Sequence, residues 1–430
     1  MRSVVMFGSR LPAGPPPAGG RFRLPLRTTV AVAVGALVAR SSQLLKAGNG
    51  GTIGGRVTLA LQPEALEQLG RGRVSVLVTG TNGKTTTTLM VARALGALGE
   101  VATNSGGANL PGGMLTALTR QPEAPYAVLE VDERFLPHMV EALRPAAVVL
   151  LNLSRDQMDR VGELRNTERS WRAALEKCPS TTVVANCGDI LVTSAALDAR
   201  SVVWVSAPGA WHSDDGSCPR CGAALRERQP VWSHECGFAR PGPDWSLDGN
   251  LLVTPANDRI PLRLGLPGEA NLANAALALA AATSLGVPLD EALLRVCSVS
   301  EVSGRYRVVE RDAHSVRLLL AKNPAGWAET LSILRDDSGP VVIAVNAHGV
   351  DGRDMSWLWD VPFEQLRGRT VVASGERAMD LAVRLTYAEV QHTVSSDLLA
   401  AIDRLPAGPV DVVSNYTAFL ELSRKLAPHD

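Results

Sequence analysis

Residues 74–90 read VSVLVTGTNGKTTTTLM, a β-branched run followed directly by a glycine-containing turn and the start of a helix. Such a turn lets several backbone N–H groups and the helix N-terminus face a phosphate. Lys84 would neutralise that phosphate, and Thr85 could hold Mg²⁺. The usual eight-residue P-loop would have a further glycine at position 78, which here is Val. We predict a nucleotide phosphate site here; a turn that binds nothing is the alternative.

From Arg73 onward, short β-branched runs alternate with Ala- and Leu-rich helical stretches. This alternation predicts an α/β fold with a parallel sheet covered by helices. The strands of the first series are predicted at 74–78, 126–131, 146–151 and 181–185. A second series follows a change in composition near residue 300, with strands at 316–320, 341–345, 370–373 and 411–413. We therefore predict two α/β units, at 26–299 and 300–430, after a disordered extension at 1–25.

Composition limits the function classes that the chain can belong to. The 430 residues carry 43 Lys and Arg against 43 Asp and Glu, so bulk charge gives no argument for nucleic acid or an acidic membrane, although local patches remain open. Six cysteines are too few for a disulfide scaffold and favour a reducing cytosol. The apolar run at 28–39 is shorter than the ~20 residues that span a bilayer. We expect a cytoplasmic protein without a transmembrane segment; a signal peptide is the alternative interpretation of this run.

Acidic residues cluster where the second predicted strand of the first series ends. Glu130, Asp132 and Glu133 follow this strand, and the carboxyl ends of strands in such sheets converge on the nucleotide crevice. A carboxylate there can bind Mg²⁺, and Glu130 is our choice. Solvated charges at a strand end are the alternative for the other two. The polar run at 152–160 follows the next strand, although an ordinary capped helix start explains it equally well.

Four soft ligands lie within the atypical segment 206–245, which has the character of a small inserted module. Cys218, Cys221, His234 and Cys236 have the spacing of a zinc ribbon, which would fill all four positions of a structural metal site. A redox cysteine pair or unrelated cysteines are the alternatives. His234 is the least certain ligand, and His212 is the reserve.

Two polar motifs follow strands of the second series. AKNPAG at 321–326 contains Lys322, and DGRDMSWLWD at 351–360 sets Asp351 and Asp354 beside Gly-Arg and two tryptophans. Carboxylates near aromatic side chains suit a site where a general base and a docking surface meet. A tight turn with packed aromatic rings is the alternative.

These motifs in combination resemble the Mur ligase family, whose members activate a carboxylate as an acyl phosphate with ATP and join it to an amine. The resemblance rests on TGTNGKTTT at 79–87, the run at 152–160, GEANLAN at 268–274 and Gly304-Arg305. It implies a Mur-ligase-type central domain with a zinc-ribbon-like insertion and a smaller C-terminal domain. The resemblance also implies a nucleotide site, formed by Gly80, Thr81, Asn82, Gly83, Lys84, Thr85, Thr86, Glu130, Asn271, Asn274 and Arg305, with Mg²⁺ at Thr85 and Glu130.

The Cys/His insertion, the two motifs of the second series and SNYT at 414–417 narrow this resemblance to the branch that amidates lipid II. The reaction implied is ATP-dependent conversion of the α-carboxyl of D-glutamate in the stem peptide to D-isoglutamine, in cell-wall synthesis at the inner face of the membrane. Ammonia would come from a separate glutaminase of the GatD type, forming a heterodimer. Asp354 would complete the glutaminase triad across the interface, and Asp351 is the second choice.

The sequence departs from the family pattern at two positions, and two alternative functions remain. His234 stands where the family usually has a third Cys, and Ala347 stands where it often has Asp, so a carboxylate role there is lost. The chain could instead be a ligase that joins an amino acid without a glutaminase, or a nucleotide-gated adaptor that docks partners without acyl-phosphate chemistry.

Overall fold

The computed structural model of the chain describes residues 24–44, 52–104, 107–154, 164–207, 217–224, 234–300, 306–334 and 339–426. The predicted extension at 1–25 lies outside these ranges up to residue 23. Two β-sheets with helices on their faces account for most of the described chain, so the predicted α/β class is confirmed. No helix within these ranges has the length and apolar character needed to cross a bilayer.

The first sheet is parallel except at one edge. Its strands are β1 Val74–Thr79, β2 Val101–Thr103, β3 Tyr126–Glu130, β4 Ala147–Leu150, β5 Thr182–Asn186, β6 Ser201–Ser206, β7 Trp245–Asp248, β8 Leu251–Val253 and β9 Arg259–Pro261. They lie in the order β2-β3-β1-β4-β5-β6-β7-β8-β9, with β8 and β9 antiparallel to their neighbours. The strand order reverses beside β1, which is the position where open α/β sheets bind ligands.

Helices cover both faces of this sheet. The helices of this unit are α1 Leu26–Leu44, α2 Ile53–Leu61, α3 Ala65–Gly70, α4 Lys84–Leu95, α5 Pro111–Arg120, α6 Leu136–Leu143, α7 Leu164–Glu176, α8 Ile190–Ala196, α9 Glu269–Ser284 and α10 Leu289–Cys297. Helix α1 packs on α2, and α2 packs on α5. Alternate residues of β1 enter opposite cores: Val76 and Val78 pack with α4 and α9, and Leu77 packs with α5 and α6. Burial on both faces explains why β1 is a continuous apolar run rather than an alternating one.

The second sheet begins with an antiparallel hairpin and is otherwise parallel. Its strands are β10 Tyr306–Arg311, β11 His314–Leu320, β12 Val341–Ala344, β13 Val371–Ser374, β14 His392–Val394 and β15 Gly408–Ser414. They lie in the order β10-β11-β15-β12-β13-β14. The helices of this unit are α11 Pro324–Ser332, α12 Ala378–Tyr387, α13 Leu398–Asp403 and α14 Tyr416–Lys425, with 3-10 turns at Gly349–Asp351, Ser356–Asp360 and Phe363–Leu366.

Candidate functional site

The turn between β1 and α4 has the backbone geometry of a phosphate-binding loop. Gly83 has φ +85°, and a Cβ there would lie 2.3 Å from Oδ1 of Asn274. Gly80 has φ +143°, and a Cβ there would lie 2.9 Å from the carbonyl oxygen of Asn152. Both positions therefore require glycine, for conformation and for space. The loop closes tightly enough to direct the N-terminus of α4 into the crevice beside β1.

Thr85 and Glu130, the two predicted Mg²⁺ ligands, meet in this crevice. The hydroxyl of Thr85 donates a hydrogen bond to Oε2 of Glu130 at 2.7 Å, and both residues are buried. Asn109 Nδ2 lies 3.2 Å from the other carboxylate oxygen, and Asn104 bonds the backbone N–H and C=O of Glu130. A hydroxyl and a carboxylate are the oxygen donors that Mg²⁺ prefers, so this pair fits the ion.

Lys84 turns back onto its own loop. Its ammonium lies 2.5 Å from the carbonyl oxygen of Gly80, 3.1 Å from that of Thr81 and 2.8 Å from Oε1 of Glu133. The Lys84 and Glu133 side chains are 7% and 16% exposed, so their charges are largely shielded from solvent. The backbone carbonyl of Glu133 also accepts a bond from the indole of Trp171 in α7. Glu133 thus forms an ion pair with Lys84 beside the phosphate loop.

The remaining predicted nucleotide residues lie around the same loop where the structure describes them. Asn152 accepts from the N–H of Asn82 at 2.9 Å and donates to its carbonyl at 3.0 Å. The side chain of Asn274 lies against Gly83, and its Nδ2 is 3.4 Å from Oδ1 of Asn271. Thr86 is buried in the first turn of α4. Arg305 and the predicted run from 155 to 160 lie outside the described residues.

The second unit reaches the phosphate loop through the AKNPAG motif. The side-chain amides of Asn82 and Asn323 bond reciprocally, with both N···O distances at 3.2 Å. Asn323 also accepts from the N–H of Gly326 at 2.8 Å and so caps α11. The neighbouring Lys322 is exposed, with Nζ 5.6 Å from the centre of the Tyr416 ring. The motif therefore places a lysine beside the junction of the two units.

The structure gives the two carboxylates of the DGRD motif different environments. Asp351 is partly buried and accepts bonds from the backbone N–H groups of Tyr416 and Thr417 at 3.1 and 2.7 Å, so its charge stabilises the N-terminus of α14. Asp354 is exposed, and the amide and hydroxyl of Ser356 bond its carboxylate at 2.8 and 3.0 Å. The Ser356 amide, followed by its hydroxyl, lowers the pKa of Asp354 below its ordinary value. Asp354 is thus an ionised carboxylate at the surface.

The three cysteines and His234 of the atypical segment converge. Their ligand atoms all lie within 4.8 Å of one another, with Cys218 Sγ 3.7 Å from Cys236 Sγ and His234 Nδ1 3.2 Å from Cys236 Sγ. Tetrahedral zinc with Zn–S bonds of about 2.3 Å requires sulfurs about 3.8 Å apart, so the group fits the ion. The backbone N–H of Phe238 is the first cause that lowers the pKa of Cys236, to about 7, which favours the thiolate. The reserve ligand His212 lies outside the described residues.

An arginine within this module anchors it to the first unit. Arg220 stands between Cys218 and Cys221, and its guanidinium lies 2.9 Å from the hydroxyl and 2.6 Å from the carbonyl oxygen of Ser194 in α8. That hydroxyl donates in turn to Glu168 of α7 at 2.7 Å. The module is therefore fixed to two helices of the first unit through polar contacts.

The other three cysteines do not have the environment of a glutaminase nucleophile. Burial raises the pKa of Cys178, Cys187 and Cys297 above the ordinary thiol value. A raised pKa keeps a thiol protonated at neutral pH, and the protonated form is a poor nucleophile.

Sequence reasoning missed Asn104 and Asn109 and gave Glu133 no firm role. Asn104 fixes the end of β3, and Asn109 holds the carboxylate that faces Thr85. The signal that could have found both is the stretch NSGGANLPGG at 104–113, which is rich in Asn and Gly and precedes a helix.

Comparisons with known proteins agree with this architecture. The Mur ligase middle domain matches residues 78–207, and the MurT ligase C-terminal family matches residues 320–419. The chain is 30% identical to the MurT subunit of lipid II isoglutaminyl synthase (glutamine-hydrolyzing) from Streptococcus pneumoniae, over 94% of this chain and 97% of that protein. The subunit of the same name from Staphylococcus aureus (strain COL) is 27% identical over 82% of this chain and 86% of its own length.

Solved structures share the fold at lower sequence identity. A pseudomurein peptide ligase type C from Methanothermus fervidus superposes with a TM-score of 0.65 at 18% identity, over 83% of this chain and 79% of its own. MurF from Acinetobacter baumannii gives a TM-score of 0.64 at 17% identity, over 86% of this chain and 80% of its own. The full-length match to MurT subunits, together with the phosphate loop and its Thr85–Glu130 pair, assigns the chain to the Mur ligase family of ATP-dependent ligases, in its MurT branch.

Proposed function

We propose that this chain is the synthetase subunit that amidates the α-carboxyl of D-glutamate in the stem peptide of lipid II, giving D-isoglutamine for peptidoglycan synthesis. The observation that carries the ATP-dependent chemistry is the meeting of Thr85 and Glu130 beside Lys84 at the phosphate loop. The substrate is proposed because the relatives from Streptococcus pneumoniae and Staphylococcus aureus are named subunits of lipid II isoglutaminyl synthase. The protein would act at the cytoplasmic face of the membrane.

The residues of the loop would position and stabilise the reacting phosphate. Mg·ATP supplies the phosphoryl group that turns the carboxylate into an acyl phosphate, which ammonia can attack. Thr85 and Glu130 would hold the metal, and Lys84 would leave Glu133 to bond the phosphate oxygens, where a fixed cation stabilises developing negative charge. We assign 26–299 to the ATP-binding unit, with 206–245 as its insertion, and 300–430 to the C-terminal unit.

Ammonia would come from a separate glutaminase subunit of the GatD type. The relatives are named subunits of a glutamine-hydrolyzing enzyme, and Cys178, Cys187 and Cys297 are protonated thiols unsuited to this hydrolysis. Asp354 would complete the partner's triad because it is exposed and ionised, whereas Asp351 is engaged at the N-terminus of α14.

An exposed aromatic pair that includes Trp359, five residues after Asp354 in the sequence, has the character of a docking face for this subunit. Trp359 is 55% exposed and Tyr387 is 72% exposed, and their rings form an edge-to-face pair with centroids 5.3 Å apart. Aromatic side chains are enriched at protein interfaces, and two adjacent exposed rings are unusual on a free surface.

The Cys/His module would hold a structural zinc ion. All four ligands belong to the protein, so no coordination position remains for water or substrate. Zinc would stabilise the module and, through Arg220, its attachment to α8.

Trapping the acyl phosphate with hydroxylamine tests this function. The chain would be incubated with lipid II, Mg·ATP and hydroxylamine, and mass spectrometry would follow the stem peptide. We expect a hydroxamate on one carboxyl, lost in Lys84→Ala and retained in Lys177→Ala, an exposed lysine of the same unit. ATP binding without hydroxamate would support the adaptor alternative. Turnover only when a free amino acid is supplied would support an amino-acid ligase.

A further inference from the structure

Helix α1 exposes an apolar face. At about 100° per residue, positions 26, 30, 33, 34 and 37 fall on one side of the helix. The large side chains on that side are exposed: Leu26 80%, Val30 54%, Val34 38% and Leu37 66%. Ile53 and Leu61 of α2 add exposed apolar side chains, at 43% and 56%. Single exposed apolar residues are ordinary, but a continuous stripe calls for a partner.

The opposite side of α1 is packed, which fixes the direction of the apolar stripe. Thr28 and Ala31 are buried, and the hydroxyl of Thr58 in α2 donates to the carbonyl of Ala31 at 3.2 Å. Gly35 lets the helices approach so closely that a Cβ there would lie 2.5 Å from the carbonyl oxygen of Gly54. The stripe is therefore held outward by a specific helix–helix contact.

Positive charge surrounds this stripe. Arg27 and Arg40 are exposed on its two sides, and Arg56 is exposed on α2. The first 63 residues contain eight Lys or Arg and no Asp or Glu, although the chain as a whole is neutral. An apolar helical face flanked by arginines is typical of helices that lie in the interface of an anionic membrane.

The same helices contact the candidate active site through one further element. The backbone of α2 meets that of α5 at Gly55, where a Cβ would lie 1.8 Å from the carbonyl oxygen of Gly112. Helix α5 begins at Pro111, two residues after Asn109, whose side-chain amide bonds the carboxylate of Glu130. If α1 binds a membrane, this chain of contacts would therefore hold the phosphate site at a fixed position relative to the bilayer.

We propose that α1, together with Ile53 and Arg56 of α2, is a peripheral membrane-binding face that seats the protein on an anionic leaflet. The Leu and Val side chains would enter the acyl boundary, and the arginines would contact anionic headgroups. The use of this face, to bring the site to a lipid-linked substrate, rests on the proposed function, whereas the binding does not. A face for a protein partner is the competing outcome.

Vesicle co-sedimentation of the full chain, together with its glutaminase subunit, tests the proposal. The vesicles would be phosphatidylglycerol mixed with phosphatidylcholine, or phosphatidylcholine alone, at low and high salt. We expect binding to the anionic vesicles that weakens with salt. Val30→Glu with Leu37→Glu should reduce it at least about tenfold, and Arg40→Gln about fivefold. Leu294→Glu, on an exposed site of α10, should leave it unchanged.

Three results would overturn the proposal. The first is that the wild type and the Val30/Leu37 variant bind equally to the anionic vesicles, and the second is that the wild type binds neutral and anionic vesicles equally. The third is that the variant loses the glutaminase subunit in size-exclusion chromatography, which would assign the face to protein contact. Activity separates this proposal from the proposed function. The variant should amidate a detergent-solubilised substrate at the wild-type rate and a vesicle-embedded one more slowly, whereas a wild type inactive on both would refute the function alone.

Discussion

Lys84 contacts two carbonyl oxygens of its own loop and the carboxylate of Glu133. In the proposed reaction these three contacts would be exchanged for phosphate oxygens, so Glu133 would compete with the nucleotide for the ammonium. A carboxylate near a phosphate site also repels the incoming anion. The strand-end position of Glu133 in the sequence indicates a polar role but does not distinguish a metal ligand from a competitor.

Glu133→Gln should therefore tighten ATP binding while destabilising the free protein. We expect the Kd for ATP to fall by a factor of about three to ten, because an opposing interaction of about 1 kcal/mol disappears. Titration calorimetry measures the Kd, and Asp132→Asn serves as the matched control at the same strand end. Weaker ATP binding in Glu133→Gln would instead identify Glu133 as a ligand of the metal–nucleotide complex.

Substitution of the two aspartates of the DGRD motif should have different effects on amidation and on stability. Asp354→Asn should abolish amidation with glutamine and leave amidation with ammonium intact, because only the glutaminase step would use this carboxylate. Asp351→Asn should lower the free energy of unfolding by about 1 kcal/mol through the weakened N-terminus of α14, with both ammonia sources affected alike. Rates with each source and thermal melts measure the two effects. A normal rate with glutamine in Asp354→Asn would contradict the assignment.

The pH dependence of the glutamine-driven rate follows from the same carboxylate. Hydrogen bonds from Ser356 lower the pKa of Asp354 in the folded protein, so the charged form persists as the pH falls into the ordinary range for aspartate. We expect its contribution to be present throughout the neutral range and lost only below that ordinary range. A pH–rate profile with glutamine, compared with the profile with ammonium, isolates this contribution. An extra loss of the glutamine rate near neutral pH would contradict it.

At the scale of elements, the Cys/His module illustrates what spacing can and cannot predict. The spacing of Cys218, Cys221, His234 and Cys236 was sufficient to predict that they converge, because a CxxC knuckle and an i, i+2 pair have restricted geometries. The docking of the module through Arg220 was not predictable, since it depends on the position of α8. The same holds for α1 and α2, whose close contact depends on Gly35 and Gly54.

Arg220→Ala should loosen the module without removing its ligands. Three guanidinium contacts disappear, to Ser194 twice and to Asp198, so we expect unfolding to become easier by about 1–3 kcal/mol. Zinc stoichiometry, measured by elemental analysis, should stay at one per chain, whereas Cys218→Ser should lose the metal. The affinity for zinc should also fall as the pH is lowered, because protons compete with the metal for the cysteine thiolates. Loss of zinc in Arg220→Ala would contradict the separation of anchor and ligand.

At the scale of the whole molecule, the two α/β series were predictable because each buried strand is a β-branched run followed by a helix. The contact between the units was not predictable. It depends on reciprocal amide bonds between Asn82 and Asn323, which are 241 positions apart in the sequence and have no local signal. The antiparallel edge strands β8, β9 and β10 were also missed, because they are short or only partly buried.

Asn323→Ser tests whether this junction matters for the reaction. Serine can still cap α11 but is too short to reach Asn82, so stability should change little. We expect the KM for ATP to rise by a factor of about three to ten through loss of the hydrogen-bonded pair. Steady-state kinetics with ammonium give the KM, and a thermal melt confirms that α11 remains capped. An unchanged KM would show that the junction has no role in nucleotide binding.

The most direct test of the account is the mass of lipid II after incubation with the purified chain, Mg·ATP and either ammonium or glutamine, with and without a glutaminase subunit. We predict conversion of one carboxyl to an amide with ammonium alone, and with glutamine only when the glutaminase is present. Addition of an amino acid, or no change in lipid II under any of these conditions, would contradict the assignment of this chain as an amidating synthetase.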